Sequence, residues 1–138
     1  MSDQKIEPPN ESELEWVRAH VDAVRKATGG DVSPAALDEL YAGWYEEWAA
    51  QPEESRPDPN DMINAVGLGF GQALVDGLGL DWAVVTDEHG TEIAVHGQPG
   101  DILVFPPNLV AKRFERGETV FLQMVYDGIA AQVAELRQ

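Results

Sequence analysis

The sequence predicts an α+β fold: a three-stranded antiparallel β-meander packed against helices, with an N-terminal helical pair. Three features carry this prediction. Residues 12–78 contain three segments with apolar side chains at the spacing of three and four that is typical of helices. Residues 82–105 contain short runs of β-branched and aromatic residues between turn signals. Residues 120–137 return to a helical pattern.

The first predicted helix begins at Ser12, because Ser12-Glu13-Leu14-Glu15 matches a capping box. Thr28-Gly29-Gly30 ends it. Its apolar stripe consists of Leu14, Val17, Val21 and Val24.

The second predicted helix begins at Ser33-Pro34, a capping residue followed by a proline at the first helical position. Its predicted buried face contains Leu37, Leu40, Tyr41, Trp44, Tyr45 and Trp48. The opposite, solvent-facing side contains Asp38, Glu39, Glu46 and Glu47.

A proline-rich segment, Gln51 to Pro59, divides the chain into an N-terminal helical segment (1–59) and an α+β core (60–138). A two-helix segment of about 60 residues is too small to bury its own aromatic side chains. We therefore expect residues 1–59 to pack on the core.

The third predicted helix runs from Asn60, as its cap, to about Leu78, and its nearly continuous apolar residues predict burial on more than one side. Its glycines, Gly67, Gly69 and Gly71, invite a nucleotide-binding interpretation. Nucleotide-binding glycine loops follow a strand, and in one class Lys-Ser or Lys-Thr comes directly after the loop. The sequence around Gly67–Gly71 has neither feature. Close approach of another backbone is the favoured interpretation.

Three strands are predicted at Trp82–Thr86, Glu92–His96 and Ile102–Phe105, and the short turns between them require antiparallel pairing. A short helix follows from Pro106 to about Phe114. A last helix covers Val120 to Arg137, and its predicted buried positions are Val120, Met124, Ile129, Val133 and Leu136.

The composition excludes several classes of function. The 138 residues contain no cysteine, which excludes disulfides, iron-sulfur centres and thiol catalysis. The net charge of −16 disfavours binding to nucleic acids and anionic membranes, and favours a basic protein partner or a cationic ligand. Residues 1–10 show no export signal and no apolar run is long enough to span a bilayer, so we expect a cytoplasmic protein.

The three histidines, His20, His89 and His96, do not have the spacing of metal ligands. In Asp87-Glu88-His89, we expect Asp87 to order a hairpin turn and His89 to lie solvated at its tip. We expect neither a metal nor a cofactor.

Two other clusters have alternative interpretations. Lys112, Arg113 and Arg116 form the one basic cluster, which is either an anion site or a set of cations that stabilises a helix C-terminus. Trp82 and the aromatic residues of the second helix line either a cation site or, as we favour, the core. No serine lies in a nucleophile-elbow motif, and no complete catalytic set is present in the sequence.

The run from about Asn64 to Glu118 resembles a bacterial family known as domain of unknown function (DUF) 3806. The resembling features are Gly67-x-x-x-Gly71, Leu80-Asp81-Trp82, Val85-Thr86-Asp87-Glu88-x-Gly90-Thr91, Phe105-Pro106 and Lys112-Arg113-x-Glu115-x-Gly117-Glu118. The resemblance implies a shared fold and no particular activity, substrate or cofactor. It marks Trp82, Asp87, Phe105, Lys112 and Arg113 as shared features, and the helices of Ser12–Ala50 lie outside it.

Three functional hypotheses follow. The first is a non-enzymatic protein that binds a basic partner through an acidic face, in the manner of bacterial immunity proteins. The alternative is a small enzyme or a domain that binds an anionic small ligand near Asp87, Lys112 and Arg113. The third is a structural module that dimerises through exposed aromatic residues of the second helix.

Overall fold

The computed structural model describes residues 4–138. The first three of the ten residues in which we looked for an export signal lie outside this described part. These residues form five α-helices, a short 3-10 turn and a four-stranded antiparallel sheet. In chain order the elements are β1 (Lys5–Glu7), α1 (Glu11–Thr28), α2 (Pro34–Ala49), the 3-10 turn (Glu53–Ser55), α3 (Asn60–Leu78), β2 (Asp81–Asp87), β3 (Gly90–Gly97), β4 (Ile102–Val104), α4 (Pro106–Glu115) and α5 (Leu122–Leu136). The α+β class is confirmed.

The sheet has one strand more than predicted. Its order is β1-β2-β3-β4, and the expected meander is β2-β3-β4. The extra strand, β1, pairs with the hairpin end of β2, with Ile6 opposite Val85. All three of its residues are exposed and two are charged, so it lacks the apolar alternation by which a strand is recognised in a sequence.

The capping box of α1 lies two residues earlier than predicted. The Asn10 side chain accepts a hydrogen bond from the Glu13 backbone at 2.8 Å, and the Glu13 side chain accepts one from the Asn10 backbone at 2.7 Å. The assignment to Ser12 and Glu15 is wrong. The physical reason is that Asn10 directly follows Pro8-Pro9, so it is the first residue after the prolines that has both an amide and a good capping side chain.

One face of the sheet packs against α3 and α1. Trp82 and Val95 are opposite each other in the ladder and both join the main core, together with Phe70 of α3. Val24 of α1 and Leu37 of α2 belong to the same core. The N-terminal helical pair therefore shares its buried surface with the rest of the chain.

The glycines of α3 allow close packing, as predicted. A Cβ atom at Gly67 would lie 2.6 Å from the Pro107 Cα atom at the start of α4. A Cβ atom at Gly71 would collide with the Trp82 ring. Helix α3 is therefore in contact with α4 and β2 at points where only glycine fits.

The predicted buried face of α5 is partly wrong. Val120 and Met124 are 72% and 65% exposed, and Leu136 is 39% exposed, whereas Leu122 and Val133 are buried. The actual inward stripe is Leu122, Tyr126, Ile129 and Val133. Val120 precedes α5, and Met124 lies five residues before Ile129, off the spacing of three and four that places Leu122, Tyr126, Ile129 and Val133 on one helix face. Contacts at the start of α5 hold Leu122 inward.

Those contacts come from Asp38, which the helical pattern places on the solvent side of α2. That placement is wrong: Asp38 is only 8% exposed, and its carboxylate lies against the start of α5. Oδ1 accepts hydrogen bonds from the backbone amides of Phe121 (3.0 Å) and Leu122 (2.7 Å). Oδ2 accepts one from Gln123 at 3.0 Å.

Candidate binding groove

A groove lies at the end of the sheet where β2 turns into β3. It encloses about 300 Å³ between the start of α1, the edge of β3 and the start of α4. We call it the hairpin groove. Its lining includes Glu13, Trp16, Glu92, Ile93, Phe105 and Asn108.

Local structure explains why each wall is where it is. In the apolar stripe of α1, Val17 and Val21 pack against Leu68 of α3 in a small buried cluster. Trp16 lies beside this stripe, so the residue is 42% exposed and lines the groove. At the other wall, Pro106 begins α4 and leaves Phe105 half-buried at the edge of the sheet.

The groove combines carboxylates with aromatic rings. Glu13 and Glu92 both line the cavity that also contains Trp16 and Phe105. An adjacent cavity of about 310 Å³ shares Glu92 and Phe105 with it and adds Asp87. Carboxylates attract a cation, and aromatic faces stabilise it further. The arrangement suits a lysine or arginine side chain.

A second depression, of about 670 Å³, lies near the other end of β2 beside Trp82, His96 and Asp101. Its Asp101 carboxylate is already engaged: Oδ1 lies 3.2 Å from Nε2 of His96 and accepts from the Gln98 side chain at 2.6 Å. These hydrogen bonds, that with His96 foremost, hold the pKa of Asp101 below its usual value. In the hairpin groove the Glu13 carboxylate is also engaged, by the Asn10 amide, whereas the Glu92 carboxylate forms no hydrogen bond or ion pair within the described residues. Glu92 therefore makes the hairpin groove the better cation site.

Asp87 and His89 behave as expected for a turn. The Asp87 carboxylate accepts a hydrogen bond from the His89 backbone at 2.8 Å. The His89 ring is exposed at the tip and lies 3.4 Å from the Glu88 carboxylate. Asp87 therefore orders the hairpin and also contributes negative charge beside the groove.

Arg113 is tied into the turn between α4 and α5. Its guanidinium donates to the Glu118 carboxylate at 2.7 Å and lies 5.6 Å from the centre of the Phe121 ring. Lys112 is exposed on the same last turn of α4. The walls of the cavity beside Asp87 come from β2, β3, their turn and Phe105, so Lys112 and Arg113 lie outside it. A shared site of Asp87, Lys112 and Arg113 stays a prediction.

The tryptophans singled out by the sequence serve packing. The Trp82 indole donates to the Gln72 side chain at 3.2 Å, and its ring packs on Gly71. In α2, the Trp48 indole donates to the Pro57 carbonyl at 2.8 Å, and its ring contacts Phe114 with centroids 5.0 Å apart. These side chains are satisfied within the chain.

The sequence prediction missed Glu13, Trp16 and Glu92. One signal was available, since Trp16 lies off the apolar stripe of the first helix, and a large aromatic residue on a polar helix face is a candidate for binding. Glu13 and Glu92 have no comparable signal. They are two of 25 acidic residues, and only the fold brings them to one cavity.

Within residues 4–138, no group of three or more histidine and acidic side chains is arranged to hold a metal ion. None of the helices in this described part is both long enough and apolar enough to cross a membrane.

Comparison with known proteins identifies the family of the chain. Neither the curated proteins nor the solved structures contain a significant relative. A family model, described as domain of unknown function (DUF3806), matches residues 44–126, which is more than half of the chain. The matched region begins within α2, ends within α5 and includes Glu92 and Phe105 of the groove, whereas Glu13 and Trp16 precede it. The chain therefore belongs to the DUF3806 family of uncharacterised domains.

Proposed function

We propose that this protein is a non-enzymatic protein-binding module that takes a basic segment of a partner into the hairpin groove. The observation that carries the proposal is the composition of the groove region: Glu13 lines the same cavity as Trp16 and Phe105, and Glu92 borders both that cavity and the one beside Asp87. A basic segment laid across the two cavities gains charge pairing with these carboxylates and contact with the aromatic rings.

The charge of the whole molecule supports a basic partner. A net charge of −16 produces a negative potential that accelerates the encounter with positive surfaces and repels nucleic acids and anionic lipids. Within residues 4–138, lysine and arginine form only two ion pairs with acidic side chains, Lys5 with Glu7 and Arg113 with Glu118. Most of the carboxylates in this part of the chain therefore have no lysine or arginine to neutralise them.

The expected energies require a segment rather than a single cation. An exposed ion pair contributes about 0.2–1 kcal/mol, and a cation over an exposed aromatic ring contributes about 0.5–1 kcal/mol. One side chain would therefore bind weakly. Several basic side chains spread over the hairpin groove and the cavity beside Asp87 would reach a useful affinity.

The test is a capture experiment with matched charge variants. The immobilised full chain, Glu92→Lys and Glu47→Lys are each exposed to lysate at low and at moderate salt. Both variants change the net charge equally, but Glu47 lies on the exposed side of α2, outside the groove. We expect a basic protein to be retained at low salt by the parent chain and by Glu47→Lys, and to be lost with Glu92→Lys.

Two outcomes oppose the proposal. Equal retention by both variants would show that the groove is not the binding surface. Retention that is indifferent to salt would show that charge does not drive the interaction.

A further inference from the structure

Among residues 4–138, the outer edge of β3 is only partly paired. Strand β4 pairs with Val95, His96 and Gly97 of β3, and the register ends there. Residues 90–94 are paired with β2 on one side. Along this stretch the other side of the strand borders the hairpin groove, which is lined by Thr91, Glu92 and Ile93.

The register shows which backbone groups face this edge. The hairpin has a two-residue turn closed by the pair Asp87 and Gly90. Hydrogen-bonded and non-hydrogen-bonded pairs alternate along an antiparallel ladder, and the pair that closes such a turn is hydrogen-bonded. The pairs Thr86–Thr91 and Val84–Ile93 are therefore not hydrogen-bonded. At these pairs, Thr91 and Ile93 direct their N–H and C=O groups away from β2. The hydroxyls of Thr86 and Thr91 are 3.2 Å apart, as expected at a non-hydrogen-bonded pair, where side chains are closest.

The residues that follow β4 do not extend the ladder. Val104 lies opposite Val95, and the next residues along the chain are Phe105, Pro106 and Pro107. The two prolines have no N–H to donate, and they begin α4 instead of extending β4. The space between them and β3 is the hairpin groove.

From this arrangement we infer that the basic partner segment binds as an added β-strand along residues 91–93 of β3, in line with β4. The inference rests on the proposed function. Addition of a strand to a free sheet edge takes its affinity from backbone hydrogen bonds and its specificity from alternate side chains.

The two faces of the sheet define the pattern of the segment. Thr91 and Ile93 share one face with Val84 and border the cavity that contains Trp16. Glu92 lies on the opposite face, beside Asp87. Successive side chains of the added strand point to opposite faces. The segment should therefore alternate basic residues, which meet Glu92 and Asp87, with apolar or long basic residues, which meet Ile93 and Trp16.

The probe is a peptide selected against the full chain from a random library of about twelve residues, longer than most strands. Its strongest binder is resynthesised in two forms, with backbone N-methyl groups either on odd-numbered or on even-numbered residues. One form removes the N–H groups that face β3, and the other removes those that face solvent. Since one hydrogen bond is worth roughly a factor of ten, we expect one form to lose at least about tenfold in affinity and the other to bind normally.

Amide exchange in the protein provides a second readout. On binding, exchange at Thr91 and Ile93 should slow, while Glu92 and Ala94, which are already bonded to β2, should change little. Similar affinity of the two methylated forms, or unchanged exchange at Thr91 and Ile93, would overturn strand addition.

The two proposals fail differently. If the selected peptide is basic and is weakened by Glu92→Lys but not by Glu47→Lys, the groove function stands whatever the methylation result. If the selection yields peptides with no excess of lysine and arginine, or yields no binder, the proposed function fails and strand addition fails with it.

Discussion

The carboxylate of Asp38 stabilises a helix that begins more than 80 residues later. It accepts hydrogen bonds from three backbone amides at the start of α5. The first four amides of a helix have no partner within it, and the helix dipole favours a negative charge near them. A buried carboxylate is costly unless it is hydrogen-bonded, and here three donors meet that need.

Removing this carboxylate should destabilise the fold. We expect Asp38→Ala to lower the free energy of unfolding by about 3 kcal/mol, because it leaves buried amides without an acceptor. The control is Glu39→Ala, an exposed neighbour, which should change stability by less than about 0.5 kcal/mol. Urea denaturation measures both. Equal effects would mean that the cap contributes little.

Tyr41 is an opposite case, a polar group without a partner. Its hydroxyl is the buried side-chain polar atom in residues 4–138 that has no hydrogen bond. The ring is fully buried and makes an edge contact with Phe121 at 5.7 Å. Burial, with a smaller contribution from Tyr45, raises the pKa of Tyr41 to about 12.

This raised pKa gives a stability prediction at alkaline pH. The folded chain holds the proton of Tyr41 up to about pH 12, whereas the unfolded chain releases it near its ordinary pKa of 10.0. The unfolded state therefore binds fewer protons between these values, and stability falls as pH rises through them.

Tyr41→Phe should remove that contribution, so that its unfolding free energy falls less steeply over this range than in the parent chain. At neutral pH the variant should be as stable as the parent or up to about 1 kcal/mol more stable, because the unpaired hydroxyl is lost and the ring contacts remain. Urea denaturation at several pH values measures the difference. Parallel pH profiles would contradict the assignment.

At the scale of elements, α3 depends on glycine where it meets its neighbours. We expect Gly67→Ala to destabilise the chain by about 1–3 kcal/mol, because the added methyl would meet the backbone of Pro107 rather than a flexible side chain. Thermal or urea denaturation reports the change.

Gly128 is the matched control, since it also lies within a helix but a Cβ atom there points to open space. Gly128→Ala should stabilise the chain by up to about 1 kcal/mol through helix propensity. If both substitutions acted in the same direction, packing around Gly67 would not be as tight as described.

Periodicity explains which elements the sequence predicts. The long helices and the strands β2 and β3 have a clear period of 3.6 or 2, and their positions follow from it. The sequence pattern does not predict β1, because its three residues are exposed and the strand forms by pairing with β2, far along the chain. The face of α5 also depends on a distant residue, Asp38, whose burial no local pattern signals.

Most of the candidate groove could not be predicted from the sequence, because it also depends on residues that are far apart along the chain. Its walls come from three separated segments, represented by Glu13 and Trp16, by Glu92, and by Phe105. The sequence predicts the acidic character of the molecule and its basic partner as a class. Which carboxylates share a cavity with exposed aromatic rings depends on tertiary structure.

At the scale of the whole molecule, the two halves of the sequence act together. Asp38 of α2 caps α5, and Leu37 joins the core that contains Phe70 and Phe121. Helix α1 supplies one wall of the groove, and the sheet and α4 supply the others. The family match covers the second set of walls, so the complete groove needs the helix that precedes the matched region.

The central claim is that this groove receives a cationic side chain. The most direct test is a titration of the full chain, followed by amide and indole NMR signals, with N-acetylarginine methylamide and, as the uncharged control, its citrulline analogue, both raised to about 50 mM because a single side chain binds weakly. We predict that the arginine compound shifts the signals of Trp16, Thr91, Glu92 and Phe105 and that the citrulline compound does not. Shifts spread over the acidic surface of α2, or equal shifts with both compounds, would contradict the claim.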